Sequence, residues 1–151
     1  MKIAIGNDHI GIELKQVIID ELIKRDIEVI DCGTDNADRT DYPIFAEKVA
    51  NLVSSGAVEK GIIMCGTGVG ISIAANKVNG IRCVCCSESY SAMLSRQHNN
   101  TNMLALGSRV VGKEVARMIV NAWLDAVYEG DRHQRRIDLI SEIETKQRRK
   151  I

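Results

Sequence analysis

The chain has 151 residues, enough for one sizeable core. Its 20 Lys and Arg balance 20 Asp and Glu, which argues against general nucleic-acid binding, and the basic Gln147-Arg148-Arg149-Lys150 reads as a solvated helix end. No apolar run approaches the roughly 20 residues that span a bilayer, and Met1-Lys2-Ile3-Ala4-Ile5 reads as a strand rather than a signal peptide, so a cytoplasmic protein is expected.

Lys2 to Ile5 predicts a first strand, followed by the loop Gly6-Asn7-Asp8-His9. Leu14, Val17, Ile18, Leu22 and Ile23 recur at three- and four-residue steps and predict a helix over 12–25. Glu28 to Asp31 is a second strand, and 32–41 a polar loop. A second helix covers Tyr42 to Ser54, with the only proline, Pro43, near its start, where a missing N–H costs little. Gly61-Ile62-Ile63-Met64 is a third, buried strand. Arg82 to Cys86 is a fourth, followed by a helix over Ser87 to Gln97 with Ser87 as its N-cap. His98 to Thr101 reads as a loop and Asn102 to Leu106 as a fifth strand. A helix follows over Gly112 to Glu129, its stripe made of Val115, Met118, Ile119, Ala122, Trp123, Ala126 and Val127. The last helix, Arg132 to Arg149, carries a thinner stripe of Ile137, Ile140 and Ile143 and is expected to pack on a partner subunit.

Between the third strand and its helix lies Cys65-Gly66-Thr67-Gly68-Val69-Gly70. Its glycines permit positive φ and let a ligand approach bare backbone. The helix behind it turns unpaired N–H groups toward that ligand. The stretch is neither a Walker A loop, since Ile71-Ser72 stands where Lys-Ser/Thr would, nor a G-x-G-x-x-G dinucleotide turn. It describes an anion site with a thiol at its lip.

Five cysteines, two of them adjacent, make no disulfide framework, and no C-x-x-C or paired histidines suggest zinc. Free, mostly buried thiols are expected, with Cys83, Cys85 and Cys86 as strand residues of the core, and no metal.

Strands alternating with helices predict an α/β fold, a parallel sheet covered on both faces. Right-handed crossovers set the first strand beside both the second and the third. The gap between strands one and three is then a topological switch point, and Asp8-His9 and the Cys65 turn open into it.

On these residues the chain resembles the type B ribose-5-phosphate isomerases, in the phosphosugar isomerase family that also holds galactose-6-phosphate isomerase. The matching segments are Asp8-His9, residues 39–43, 65–71 and 95–102, Gly107-Ser108-Arg109, and residues 132–136. The resemblance implies a single phosphosugar isomerase domain over residues 1–151. It implies a Rossmann-like three-layer α/β/α sandwich with a five-stranded sheet, strand five beside strand three. It implies interconversion of ribose 5-phosphate and ribulose 5-phosphate without metal or organic cofactor.

Matched residues take roles by the same resemblance. Cys65 matches the base that moves a proton between C1 and C2; a thiol is a poor base until ionised, and a helix N-terminus favours the thiolate. Backbone N–H groups of Gly66, Thr67, Gly68, Val69 and Gly70 would hold the enediolate, with the Thr67 hydroxyl beside them. His98 matches the acid–base group that opens the furanose ring. Arg109, Arg132 and Arg136 match the phosphate ligands. Asp8, His9 and Asn99 match residues that hold sugar hydroxyls, Asp8 also being placed to orient His9, and Tyr42 is read as lining the site.

Strand direction adds a partner. Asp8-His9, Cys65 and Arg109 follow strands, whereas His98-Asn99 precede one and the late arginines lie on that same side. A strand of about five residues spans about 17 Å, too far for a histidine to cross, so a homodimer with shared sites is expected, or a tetramer built from it. The rival readings are an isomerase of allose 6-phosphate or galactose 6-phosphate, a non-catalytic nucleotide-binding module, and a Cys–His acyl-transfer or hydrolytic enzyme.

Overall fold

The computed structural model describes residues 1–148; the tail end of the last predicted helix, Arg149, lies outside them, as does Lys150. Five strands, β1 (Lys2–Asn7), β2 (Glu28–Asp31), β3 (Lys60–Cys65), β4 (Cys83–Cys85) and β5 (Met103–Gly107), form one parallel sheet in the order β2-β1-β3-β5-β4. Among the described residues six helices accompany it: α1 (Ile12–Lys24), α2 (Tyr42–Ser54), α3 (Val69–Ala75), α4 (Ser89–Asn99), α5 (Lys113–Asp125) and α6 (Arg132–Arg148). Both the switch point between β1 and β3 and the pairing of β5 with β3 are present as expected.

The strand alternation sorts two cores. Ile3, Ile5, Ile62, Met64, Leu104 and Leu106 point to one face, where α1, α4 and α5 cover them with Ile18, Leu22, Ala92, Ile119 and Trp123. Ala4, Ile63, Cys65, Met103 and Ala105 point to the other, under Ala46, Val49 and Ala50 of α2 and Ile71 and Ala75 of α3. The central strands are buried on both faces, which is why they read as continuous apolar runs.

Four expectations are corrected. The cap of α4 is Glu88, whose carboxylate accepts from Ser91 N–H at 2.9 Å, and Ser87 stands outside the helix. His98 and Asn99 belong to the last turn of α4; the helix stops at Asn100, which takes φ 46°, a left-handed conformation asparagine tolerates. Helix α5 ends at Asp125, because the chain turns away to let Glu129 N–H donate to Gln97 C=O at 3.0 Å. Its buried stripe is Ala116, Ile119, Val120, Trp123 and Leu124, while Val115, Met118 and Val127 face outward.

Thr101 and Asn102, both in a matched segment, are structural. Trp123 Nε1–H donates to Thr101 Oγ1 at 2.9 Å, and Ser95 Oγ meets the same hydroxyl at 2.9 Å, tying α4, α5 and β5 together. Asn102 accepts from Arg82 N–H and donates to Gly80 C=O.

Helix α6 is held at its start by buried His133 and Ile137. Beyond them it borders a cleft of about 940 Å³, lined in part by Asn79, Ile81, Ile140 and Ile143, and Gly80 N–H donates to Glu144 across it at 3.3 Å. Leu139, Ile140 and Ile143 are each about half exposed or more. Among the described residues no helix is long and apolar enough to cross a membrane.

Candidate active site

Strand β3 ends at Cys65, and Gly68 closes the turn at φ 78°. A Cβ on Gly68 would stand 2.8 Å from the Leu106 carbonyl carbon and 2.9 Å from Cys85 Sγ, so glycine is required there by both conformation and space. The fold-back lets Gly68 N–H donate to the buried Cys65 Sγ at 3.2 Å. Val69 N–H donates to Thr67 Oγ1 at 3.3 Å. Two of the five expected backbone donors, those of Gly68 and Val69, are thus engaged within the turn itself. The Tyr42 ring lies over Gly70, where a Cβ would come 2.7 Å from its Cζ.

Arg109 follows β5 and folds back over the same turn: its N–H donates to Gly66 C=O at 3.0 Å, and its Nη1 lies 3.9 Å from where a Gly66 Cβ would be. Across the switch point, Asp8 is buried and accepts from Ile10 N–H at 2.9 Å, so it does not orient His9. Thr40 does: its N–H donates to His9 Nδ1 at 3.2 Å, and its hydroxyl accepts from His9 N–H at 3.1 Å. An acceptor Nδ1 leaves the ring proton on Nε2, the nitrogen free to meet a ligand.

The loop that carries Thr40 is anchored by Lys15, which the sequence reading passed over. Lys15 is 2 % exposed and bridges Asp31 at 2.9 Å, Asp35 at 2.6 Å and the Thr34 carbonyl at 3.2 Å. Burial pulls the Lys15 ammonium down, but its hydrogen bonds to Asp35 and Asp31 outweigh that, so its pKa is raised.

Four other thiols surround the site or the core. Burial, with nearby Cys85 and Glu88, pushes Cys86 up to about 12; burial likewise raises Cys83, Cys32 and Cys85. Cys85 is not a core residue: it is exposed and its Sγ approaches Thr67 C=O at 3.7 Å, on the flank of the turn.

The remaining candidates lie at the other end of the sheet. His98 stacks on His133, ring centres 4.2 Å apart and planes within 9°. Glu129 Oε2 lies 3.8 Å from His98 Nε2 and 3.4 Å from His133 Nε2. Burial first, then Arg132 and His98, hold the His133 pKa down. Because His133 lies in the first turn of α6, Arg132 and Arg136 are beside it. One chain therefore gathers Asp8, His9, Cys65 to Gly70, Tyr42 and Arg109 at the carboxyl ends of the strands, and His98, Asn99, Arg132 and Arg136 at the amino ends. The six residues of β3, about 20 Å, separate them.

Residues 3–140 match the family model described as Ribose/Galactose Isomerase. The chain belongs to the ribose/galactose isomerase family. Within that family it is 62 % identical over 143 residues to "Ribose-5-phosphate isomerase B" of Escherichia coli, covering 95 % of this chain and 96 % of that protein. It is 44 % identical to "D-erythrulose-4-phosphate isomerase" of Pectobacterium atrosepticum, over 86 % of each chain. Ribose-5-phosphate isomerase B of Clostridium thermocellum has the same fold, with a TM-score of 0.96 and 55 % identity over 97 % of this chain and 99 % of that one.

Sequence reasoning missed Glu129 and Lys15, and held His133 only as a member of the matched segment 132–136, with no role of its own. Lys15 carried a signal: it lies on the helical face of Ile18 and Leu22, at three- and four-residue steps. Glu129 carried none, and the meeting of Glu129 and His133 with His98 was not legible because it depends on the turn between α5 and α6.

Proposed function

We propose that the chain interconverts ribose 5-phosphate and ribulose 5-phosphate through an enediolate, at a site shared by two copies. The observation that carries this reading is the Cys65 thiol under Gly68 N–H at the switch point, with His9 and Arg109 beside it.

Cys65 is the base that moves the proton between C2 and C1. The Gly68 N–H on its sulphur holds the side chain in place at the switch point. The enediolate oxygens face the Gly66, Thr67 and Gly70 N–H groups and the Thr67 hydroxyl. Asp8, His9 and Asn99 hold sugar hydroxyls, and Arg109 with Arg132 and Arg136 binds the phosphate. His98 opens the furanose ring before proton transfer. The separation of the two clusters supports the dimer: a twofold pairing that sets the amino-end cluster of one copy over the carboxyl-end cluster of the other completes two equal sites. The half-exposed apolar face of α6 supports it from another side.

An aldose–ketose assay on ribose 5-phosphate, with allose 6-phosphate and erythrulose 4-phosphate alongside, tests the reading. The highest kcat/KM is expected on the five-carbon sugar; preference for a four- or six-carbon substrate overturns the substrate assignment, and no isomerisation of any of them overturns the reaction.

A further inference from the structure

We infer that His98, Glu129 and His133 form a site for a divalent transition metal ion of the zinc type, whose occupancy withdraws His98 from ring opening. The inhibitory half rests on the role given to His98 above; the coordination does not.

The three donor atoms, two imidazole nitrogens and one carboxylate oxygen, lie within 4.8 Å of one another. Ligands about 2.0–2.1 Å from a tetrahedral zinc stand about 3.3–3.4 Å apart. The observed separations from Glu129 Oε2, 3.4 Å to His133 and 3.8 Å to His98, are close to that spacing. Two histidines and one carboxylate with an open fourth position are a donor set that suits Zn²⁺ and Co²⁺.

A second observation points to a ligand independently of the spacing. Among the described residues His133 Nε2 is buried and makes no hydrogen bond, its approach to Glu129 Oε2 at 3.4 Å being an ion-pair contact only, on a ring 5 % exposed. Buried polar atoms are nearly always paired, and one left open needs a reason. A cation held with Glu129 and His98 supplies the missing partner. The rings are stacked within 9°, so their lone pairs lie in nearly parallel planes, and closing on one ion requires the rings to tilt out of the stack. The neighbouring guanidinium groups of Arg132 and Arg136 oppose the ion, which sets this site weaker than a histidine–carboxylate site in neutral surroundings.

Cobalt titration of the full chain tests the coordination. One Co²⁺ per chain is expected, with the intense visible bands of a four-coordinate centre, displaced by Zn²⁺ and weakened at least about tenfold in both Glu129→Gln and His133→Gln. No uptake below about 1 mM, or uptake unchanged in both variants, overturns the site. Zn²⁺ at saturating concentration should then slow single-turnover ring opening of ribose 5-phosphate while sparing proton exchange on ribulose 5-phosphate, which has no furanose ring. Loss of proton exchange places the ion on Cys65 and overturns the inference. Variant-sensitive binding that leaves ring opening untouched overturns the inhibition and the role of His98, with the coordination left standing.

Discussion

At the carboxyl ends of the strands, backbone N–H groups fix the functional side chains: Gly68 on Cys65 Sγ, Thr40 on His9 Nδ1, Ile10 on Asp8. At the amino ends, side chains lean on side chains: His98 on His133, both toward Glu129, with one buried nitrogen left open. The first cluster is built by short-range geometry and finished within one chain. The second depends on how three separate segments dock. The difference teaches where rigidity is stored: in the backbone of one tight turn at one end, and in the docking of separate segments at the other.

Removing the chemistry at the rigid end should have the largest effect. Cys65→Ala is expected to lower kcat by about 10²–10⁴-fold with KM little changed, since a base acts mainly in the transition state. Steady-state rates on ribose 5-phosphate measure this, and near-normal turnover would remove Cys65 from the role.

The two ends can next be broken in separate chains. Cys65→Ala and His98→Asn homodimers should each be nearly inactive. Their reassembled heterodimer holds one site lacking both groups and one with both, so about half the activity per dimer should return. Verified heterodimers that stay inactive, or a fully active monomer, would show that each chain works alone.

How much of this contrast was legible in the sequence follows from the range of the contacts. The strands and the Cys65 turn were readable because apolar runs and glycines act locally. The end of α5 was not: periodicity continued the helix to Glu129, but the Glu129–Gln97 backbone bond is tertiary and outweighs the few tenths of a kcal/mol per residue of helix propensity. Asp8 stood next to His9 in sequence, yet the orienting partner is Thr40 from a distant loop. His98 was placed in a loop because one left-handed asparagine, two residues on, decides the boundary.

Stability should follow the same asymmetry. Gly68→Ala forces a side chain into φ 78° and against the Leu106 backbone, at a cost of about 1–3 kcal/mol. His98→Asn, on a partly exposed ring, should cost under about 1 kcal/mol. Urea unfolding of both variants compares them; equal losses would mean that the turn is not the stiffer part.

A further modest effect concerns the support behind His9. Lys15→Met leaves the Thr34 carbonyl without its ammonium partner and should cost about 1 kcal/mol at neutral pH. The folded Lys15 pKa is raised, so its contribution is fully present below the unfolded value of about 10.5 and is lost as pH rises through the higher folded one. Melting curves from pH 7 to 11 should therefore show the gap between wild type and variant narrowing at the alkaline end; a gap that widens there contradicts the pairing.

The outer strands carry one more consequence. β2 has four residues, with Glu28 and Asp31 at its ends, and β4 has three. Each offers only a short row of unpaired peptide groups to a neighbouring molecule. Two sheets cannot zip together edge to edge along such stubs, which guards a concentrated solution of this protein against fibrous aggregation. Contacts made instead through helix faces and loops are set by side-chain shape, which favours closed pairing over open-ended growth.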